Sequence, residues 1–366
     1  MLNTNITEYN ITLKHGDLPV VDIGSASRSN FVPAELCWIE SGVPYNAKLN
    51  EAETSNMIRY ACNPPKVNAD SIVNKGLSKL GLSPETITAP LTGFGITVDT
   101  EMVVVPGREL PPPGLTYRSG RPDVRNGSWN ILDVKFQRGA TVTSWWVMVV
   151  RDGNLAISGP QDPALKGLVQ GFAAKCKKSG MAIPDGPPKL LVTPELPRPN
   201  NDPSRTAALG IIRKVMTDAL SGRNSKPSFI LVLLSMRDNY IYPGIKRLGD
   251  VELGLHTVHM QLSKALKDEK KQDQYFSNVA LKVNTKLGGI NHTLDPTAMQ
   301  WLTAKQTMVM GMDVTHPSPH SKEGTPSIAA VVASIDKSFV HYPASMRVQE
   351  GRKEVCWLPP IQVWRC

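Results

Sequence analysis

Residues 228–261 read SFILVLLSMRDNYIYPGIKRLGDVELGLHTVHMQ, and this order of residue types decides the fold. SFILVLLS and LHTVHMQ are short apolar runs, and the segment between them holds a polar turn followed by YPGIK. Upstream, SWWVMVV and KLLV repeat the apolar run. The segment after Ser204 carries Ala208, Ile211, Ile212, Val215 and Ala219 on one helical stripe, with Gly222 just beyond its end. Strands alternating with helices of this length require parallel crossovers, so the expected fold is α/β, an open parallel sheet covered on both faces. Ligands of such sheets bind beyond the carboxyl ends of the strands. The loop Ser235 to Tyr240 and the helix start at Tyr242 lie at one such end.

Two pairs of groups here stand four residues apart: Tyr242 with Lys246 in YPGIK, and Lys282 with Lys286 in KVNTKLGG. On a helix each pair shares a face. Pro243 suits a first helical turn, because its missing N–H would have lacked a partner there. A helix N-terminus offers free N–H groups and the positive end of the dipole, a natural seat for a phosphate. An adjoining aromatic ring stacks a base. On spacing alone, lysines four apart more often just line a solvated face.

The segments SFILVLLS, YIYPGIKRLGD, LKVNTKLGGIN and MGMDVTHPSP, in this order and spacing, resemble the MID domain and the opening of the PIWI domain of a eukaryotic Argonaute of fungal type. The resemblance runs from about Leu13 to Glu354. It implies the end of a PAZ domain at 1–40, a mixed linker 2 at 41–138, a Rossmann-like MID domain at 139–303, a truncated RNase H-like PIWI start at 304–356, and a tail outside the family at 357–366. By the same resemblance Tyr242 stacks on the first base of a small guide RNA and contacts its 5′ phosphate, which Lys246, Lys282 and Lys286 neutralise. The family's glutamine at about Val258 is absent, and the hydroxyl of Thr257 stands beside the gap. The loop Ser235, Met236, Arg237, Asp238, Asn239 and Tyr240 abuts the first base.

The resemblance also implies an RNA-cleaving site, for which Asp313 in GMDVTHP and Glu354 match two carboxylates. The second aspartate and the histidine would lie beyond Cys366, so the set is incomplete. Asp313 would meet a metal only in a completed domain, where Mg²⁺ is expected; no cofactor is expected for this chain alone. The implied role is guide binding in RNA silencing, with target RNA held through the guide and silencing-complex proteins as further partners. Two other readings stand beside it: a Mg-dependent endoribonuclease once the PIWI domain is completed, and a truncated product without independent function. Before LP the family places a tyrosine and a histidine, whereas this chain has His15, Gly16 and Asp17, so capture of a guide 3′ end is not expected.

Composition agrees with a globular, nucleic-acid-compatible chain. Lys+Arg 41 against Asp+Glu 32 gives +9, a moderate basic excess suited to a polyanion. Five scattered cysteines without a CxxC pair read as reduced thiols, and the polar start MLNTNITEYN has no secretory pattern. With no apolar stretch near the ~20 residues that span a bilayer, a soluble cytoplasmic protein is expected, with no membrane partner. Other candidates read as structure. TSNMIRYA is a helix with Met57, Ile58 and Tyr60 inward, GITVDTEMVVVPGREL alternates as strands do, and PPPG at 111–114 is a stiff linker. GFG at 93–95 is a turn, and His316 is a hydrogen-bonded turn histidine. His256 and His259 point to opposite faces of a strand in packing and surface roles, and Trp145 and Trp146 are core.

Overall fold

Two compact units divide the chain, residues 1–108 and 109–366. The computed structural model describes residues 11–353 except 16, 26–27, 39, 43–48, 50, 87–90, 92, 154–156, 158, 222–225, 236–237, 319–320 and 322, with the backbone alone at 51, 52 and 269. Gly16, Gly222, Met236, Arg237, Glu354 and the tail 357–366 therefore lie outside the described residues.

The first unit holds an antiparallel pair, β1 (Val20–Asp22) with β2 (Phe31–Pro33), whose connection is pinned where Asp22 Oδ1 accepts from Gly24 N and Asn30 N, both at 2.9 Å. Helices α1 (Glu51–Ala61) and α2 (Pro65–Ser71) follow, and α2 runs through a π turn at Ile72–Gly76 into α3 (Leu77–Lys79). The inward face expected for α1 is not found: Met57, Ile58 and Tyr60 are all exposed. Helical periodicity requires only that these side chains share a stripe, and among the described residues of this unit no other element covers it. Nor do residues 96–110 form strands, and Met102, Val103, Val104 and Val105 are exposed. An alternating pattern becomes a strand only with a ladder partner, and Pro106 removes a donor in the middle of this one.

In the second unit, β4 (Trp145–Val150) and β6 (Phe229–Leu234) are buried at every position, as central strands of a sheet covered on both faces must be. With β5 (Lys189–Val192) and β7 (Thr257–Gln261) they make a four-stranded sheet in the order β5-β4-β6-β7, and every pairing is parallel. A short antiparallel pair, β3 (Leu115–Thr116) with β8 (Thr293–Leu294), ties the segment before the sheet to the one after it.

Alternate residues of the strands feed two separate cores. Trp145, Val147, Phe229, Leu231, Val258 and Met260 face α4 (Pro163–Lys178) and the helix that ends in KVNTK. Trp146, Met148, Ile230 and Val232 face α5 (Thr206–Leu220) and α6 (Ile241–Arg247). The stripe expected on α5 is found: Ala208, Ile212 and Ala219 are buried, and Ile211 and Val215 pack against them. Gly244 lets α6 come close to α5, since a Cβ there would lie 2.3 Å from Leu209 Cδ2.

After β7 come α7 (Leu262–Ala265), α8 (Glu269–Lys286) and α9 (Pro296–Thr303). Aspartate caps begin α4, α8 and α9: Asp162 accepts from Ala164 N, Asp268 from Lys271 N and Asp295 from Thr297 N. Strands β9 (Met310–Thr315), β10 (Ser327–Ala333) and β11 (Ala344–Gln349) form an antiparallel sheet, with β10 in the middle. Residues 350–353 form a bend and turn.

Candidate functional site

Beyond the carboxyl end of β6, Ser235 and then Asp238 to Tyr240 lead into α6. This turn is fixed from below by Arg205, whose side chain is 1% exposed. Its guanidinium pairs with Asp152, donates to the Pro197 carbonyl, and places Nε 3.2 Å from Asp238 Oδ2. Asp238 Oδ1 in turn accepts from Tyr240 N at 2.7 Å and Ile241 N at 2.8 Å. Ser235 Oγ donates to the Asp152 carbonyl, so Ser235 is tied to one member of the buried Arg205–Asp152 pair and Asp238 to the other. Arg205 itself sits at φ 58°, a left-handed backbone that few non-glycine residues adopt. The Asp238 carboxylate thus takes the N–H groups at the start of α6 that the sequence offered to a phosphate. The positive charge of the site comes from side chains instead.

Those side chains converge around the edge strand β7. Lys246, from α6 on one face of the sheet, has Nζ 2.6 Å from Asp250 Oδ2 in the π turn Leu248–Leu253 that follows. Lys282 and Lys286 come from α8 on the other face, one helical turn apart. Burial first, then the adjacent Lys246 ammonium, holds Lys286 below the usual lysine range; Asp250 opposes this and Lys282 adds to it. Among the described groups that act on Lys286, Asp250 is the one carboxylate beside the two other lysines. Tyr242 is half exposed beside them, its ring edge-on to His259 with centroids 4.7 Å apart. Burial, reinforced by Lys246, Lys286 and Lys282 against Asp250, pushes His259 down to about 3.

The structure thus brings together Tyr242, Lys246, Lys282 and Lys286. Thr257 shares the α6-facing side of β7, but it is buried against the Gly249 turn, and its hydroxyl has no hydrogen-bond partner among the described residues. Val258 faces the opposite core. The sequence reading passed over His259, which lies two residues beyond Thr257 on the same face and is the residue that touches Tyr242. It also passed over Asn284, fully buried between the two α8 lysines. Asn284 Oδ1 accepts from Ala140 N at 2.7 Å, and Nδ2 donates to Asn291 Oδ1 at 2.9 Å and Arg138 O at 3.2 Å. A Cβ on Gly289 would lie 2.3 Å from that amide, which explains the second glycine of KLGG.

Of the second candidate pair, Glu354 lies outside the described residues. Asp313 is exposed on the edge strand β9, and among the described residues no three His, Cys, Asp or Glu side chains group where a metal could sit. His316 Nδ1 lies 2.8 Å from Ser327 Oγ, the turn role expected for it. A cavity of about 600 Å³ opens beside α4, lined by Trp145, Val147, Leu165, Val169 and Leu190, and it holds none of the expected site residues. Among the described residues no helix is long and apolar enough to cross a membrane.

Three family models match this chain: a PAZ domain over residues 6–58, an Argonaute linker 2 domain over 67–117 and a Piwi domain over 229–358. The chain belongs to the Argonaute family. It is 32% identical to protein argonaute 5 of Arabidopsis thaliana over 360 residues, covering 95% of this chain and 33% of that protein. It is 30% identical to protein argonaute 1B of Oryza sativa subsp. japonica over 356 residues, covering 95% and 30% respectively. This Argonaute chain thus spans about a third of the length of these curated relatives. Its fold matches the crystal structure of Kluyveromyces polysporus Argonaute with a guide RNA at a TM-score of 0.63 and 22% identity, over 97% of this chain and 39% of that one. It also matches the C-terminal lobe of a budding yeast Argonaute, at a TM-score of 0.53 and 23% identity over 67% and 49%.

Proposed function

We propose that this Argonaute chain anchors the phosphorylated 5′ end of a small guide RNA in the lysine cluster around β7. The observation that carries this reading is the unbalanced charge. Burial and the neighbouring Lys246 and Lys282 hold Lys286 below the usual lysine range, and among the described groups that act on it Asp250 is the one carboxylate. Gathering like charges costs folding free energy, and a terminal phosphate of about −1.5 to −2 charge offsets that cost. The exposed ring of Tyr242 supports stacking on the first base, and the turn held by Arg205 and Asp238 stands beside it. The relative crystallised with a guide RNA supports the same choice of ligand. Target RNA would then be held by pairing with the guide. Cys37, Cys62 and Cys176 as free thiols fit a reducing compartment such as the cytoplasm.

A whole PIWI domain would draw its cleavage chemistry from Mg²⁺. Asp313 does not form a metal-binding set with other described side chains, and no cleavage step is assigned to these residues.

Binding of short single-stranded RNAs with 5′ phosphate or 5′ hydroxyl to the full chain tests the proposal. Wild type should prefer the phosphate. Lys246→Gln with Lys282→Gln removes two charge-assisted contacts of roughly 1.5–3 kcal/mol each, enough to erase that preference. An unchanged preference in the double variant would refute the assignment.

A further inference from the structure

We infer that His259 is an additional phosphate contact in this site, and that its Nε2 takes up a proton from water as the phosphate enters. The inference rests on the proposed 5′-phosphate reading and deepens it. Its first support is geometric. His259 Nε2 is buried and has no hydrogen-bond partner among the described residues, while the ring is held edge-on against Tyr242. A buried polar nitrogen left unpaired is costly and calls for an explanation. Here it lies within the field of the three lysines, where an anion is the missing partner.

The second support is the charge around the ring. Facing His259 are Tyr242 and Lys246 from α6, Asp250 from the turn after it, and Lys282 and Lys286 from α8; His256 stands three residues back, just before β7. Without ligand, burial and the lysines keep the imidazole neutral, titrating at about 3. An opposite charge within about 4–6 Å moves a titratable group by roughly one to three pH units, and a phosphate dianion brings two such charges. That field carries His259 from a neutral ring to an imidazolium at neutral pH. Its Nε2–H then donates to a phosphate oxygen, and one proton is drawn from bulk water. A 5′ hydroxyl brings no such field, so the proton uptake is itself a phosphate-specific signal.

Histidine-labelled full chain, followed by NMR of the ring Cε1–H signals with each RNA, reads this directly. His259, assigned with His259→Gln, should stay neutral from pH 5.5 to 8.5 in the free chain and with 5′-hydroxyl RNA. With 5′-phosphorylated RNA it should titrate with a midpoint above about 6, the value near which the phosphate itself gains a proton. Above that midpoint the wild-type phosphate preference should fall by up to about tenfold per pH unit. His259→Gln keeps a neutral donor and should flatten the part of the slope that Lys286 does not supply. A phosphate preference accompanied by a neutral His259 ring overturns the inference and leaves the anchoring proposal standing. Absence of any phosphate preference in wild type overturns the anchoring proposal. If His259→Gln does not fold, a wild-type signal that titrates only with phosphorylated RNA still decides the matter.

Discussion

Arg205→Met tests whether the turn before α6 depends on one buried guanidinium. The Arg205 side chain is 1% exposed, and the carboxylates it pairs with, Asp152 and Asp238, are 7% and 13% exposed. Methionine fills similar space but leaves both carboxylates without their cation. Breaking a buried pair in this way costs about 3–5 kcal/mol, most of it from the charge left behind. For a unit of this size the urea slope is roughly 2–3 kcal/mol per molar, so the unfolding midpoint should fall by about 1–2 M. Trp145 and Trp146, buried on opposite faces of β4, give the fluorescence signal. The triple variant R205M/D152N/D238N leaves no buried charge unpaired and should recover more than half of the loss. A midpoint for Arg205→Met within about 0.3 M of wild type would refute the reasoning, given slopes of this order. So would a triple variant no more stable than the single one.

Asn284→Ala strands the Ala140 N–H and should cost about 2–4 kcal/mol in the same assay, since an unsatisfied buried donor alone costs about 1–3. Gly289→Ala should be tolerated better in the Asn284→Ala background than alone, because the Cβ then enters the space of the missing amide; a simple sum of the two losses would contradict that contact. Burial pushes the Cys176 thiol up to about 12, so at pH 8 a thiol reagent should label exposed Cys62 promptly and Cys176 only after unfolding. Affinity for phosphorylated single-stranded RNA should fall with salt, the slope in log–log form dropping by roughly 0.7 for each lysine contact removed. A slope unaltered in the Lys246/Lys282 double variant would place those residues outside the phosphate contact.

The parallel sheet was legible because its strands are uninterrupted apolar runs that only a doubly covered sheet accommodates. The α5 stripe was legible because Ala208, Ile212 and Ala219 repeat at the helical period. The readings at Met57 and at residues 96–110 went astray because periodicity states which side chains share a face and cannot state whether a partner covers it. In the site, the spacing of Tyr242 with Lys246 and of Lys282 with Lys286 correctly placed two helical pairs. What spacing could not show is that α6 and α8 lie on opposite faces and meet around β7. From the sequence His259 has only a packing or surface role on its strand, while its neighbours come from α6 and α8. Arg205 and Asp152, 53 residues apart, form a contact that no local pattern announces.

The two hydrophobic clusters on either face of the parallel sheet share no residue, and the lysines of the site belong to helices on opposite sides of that division. At the edge of the sheet the two layers meet as a seam, and like charges push its lips apart. A dianion seated there acts as a rivet. At a hundredfold over its Kd it adds about 2.7 kcal/mol to the closed form, or about a hundredfold fewer openings. Resistance to a protease therefore measures occupancy, and filled and empty molecules differ in lifetime before they differ in anything they do.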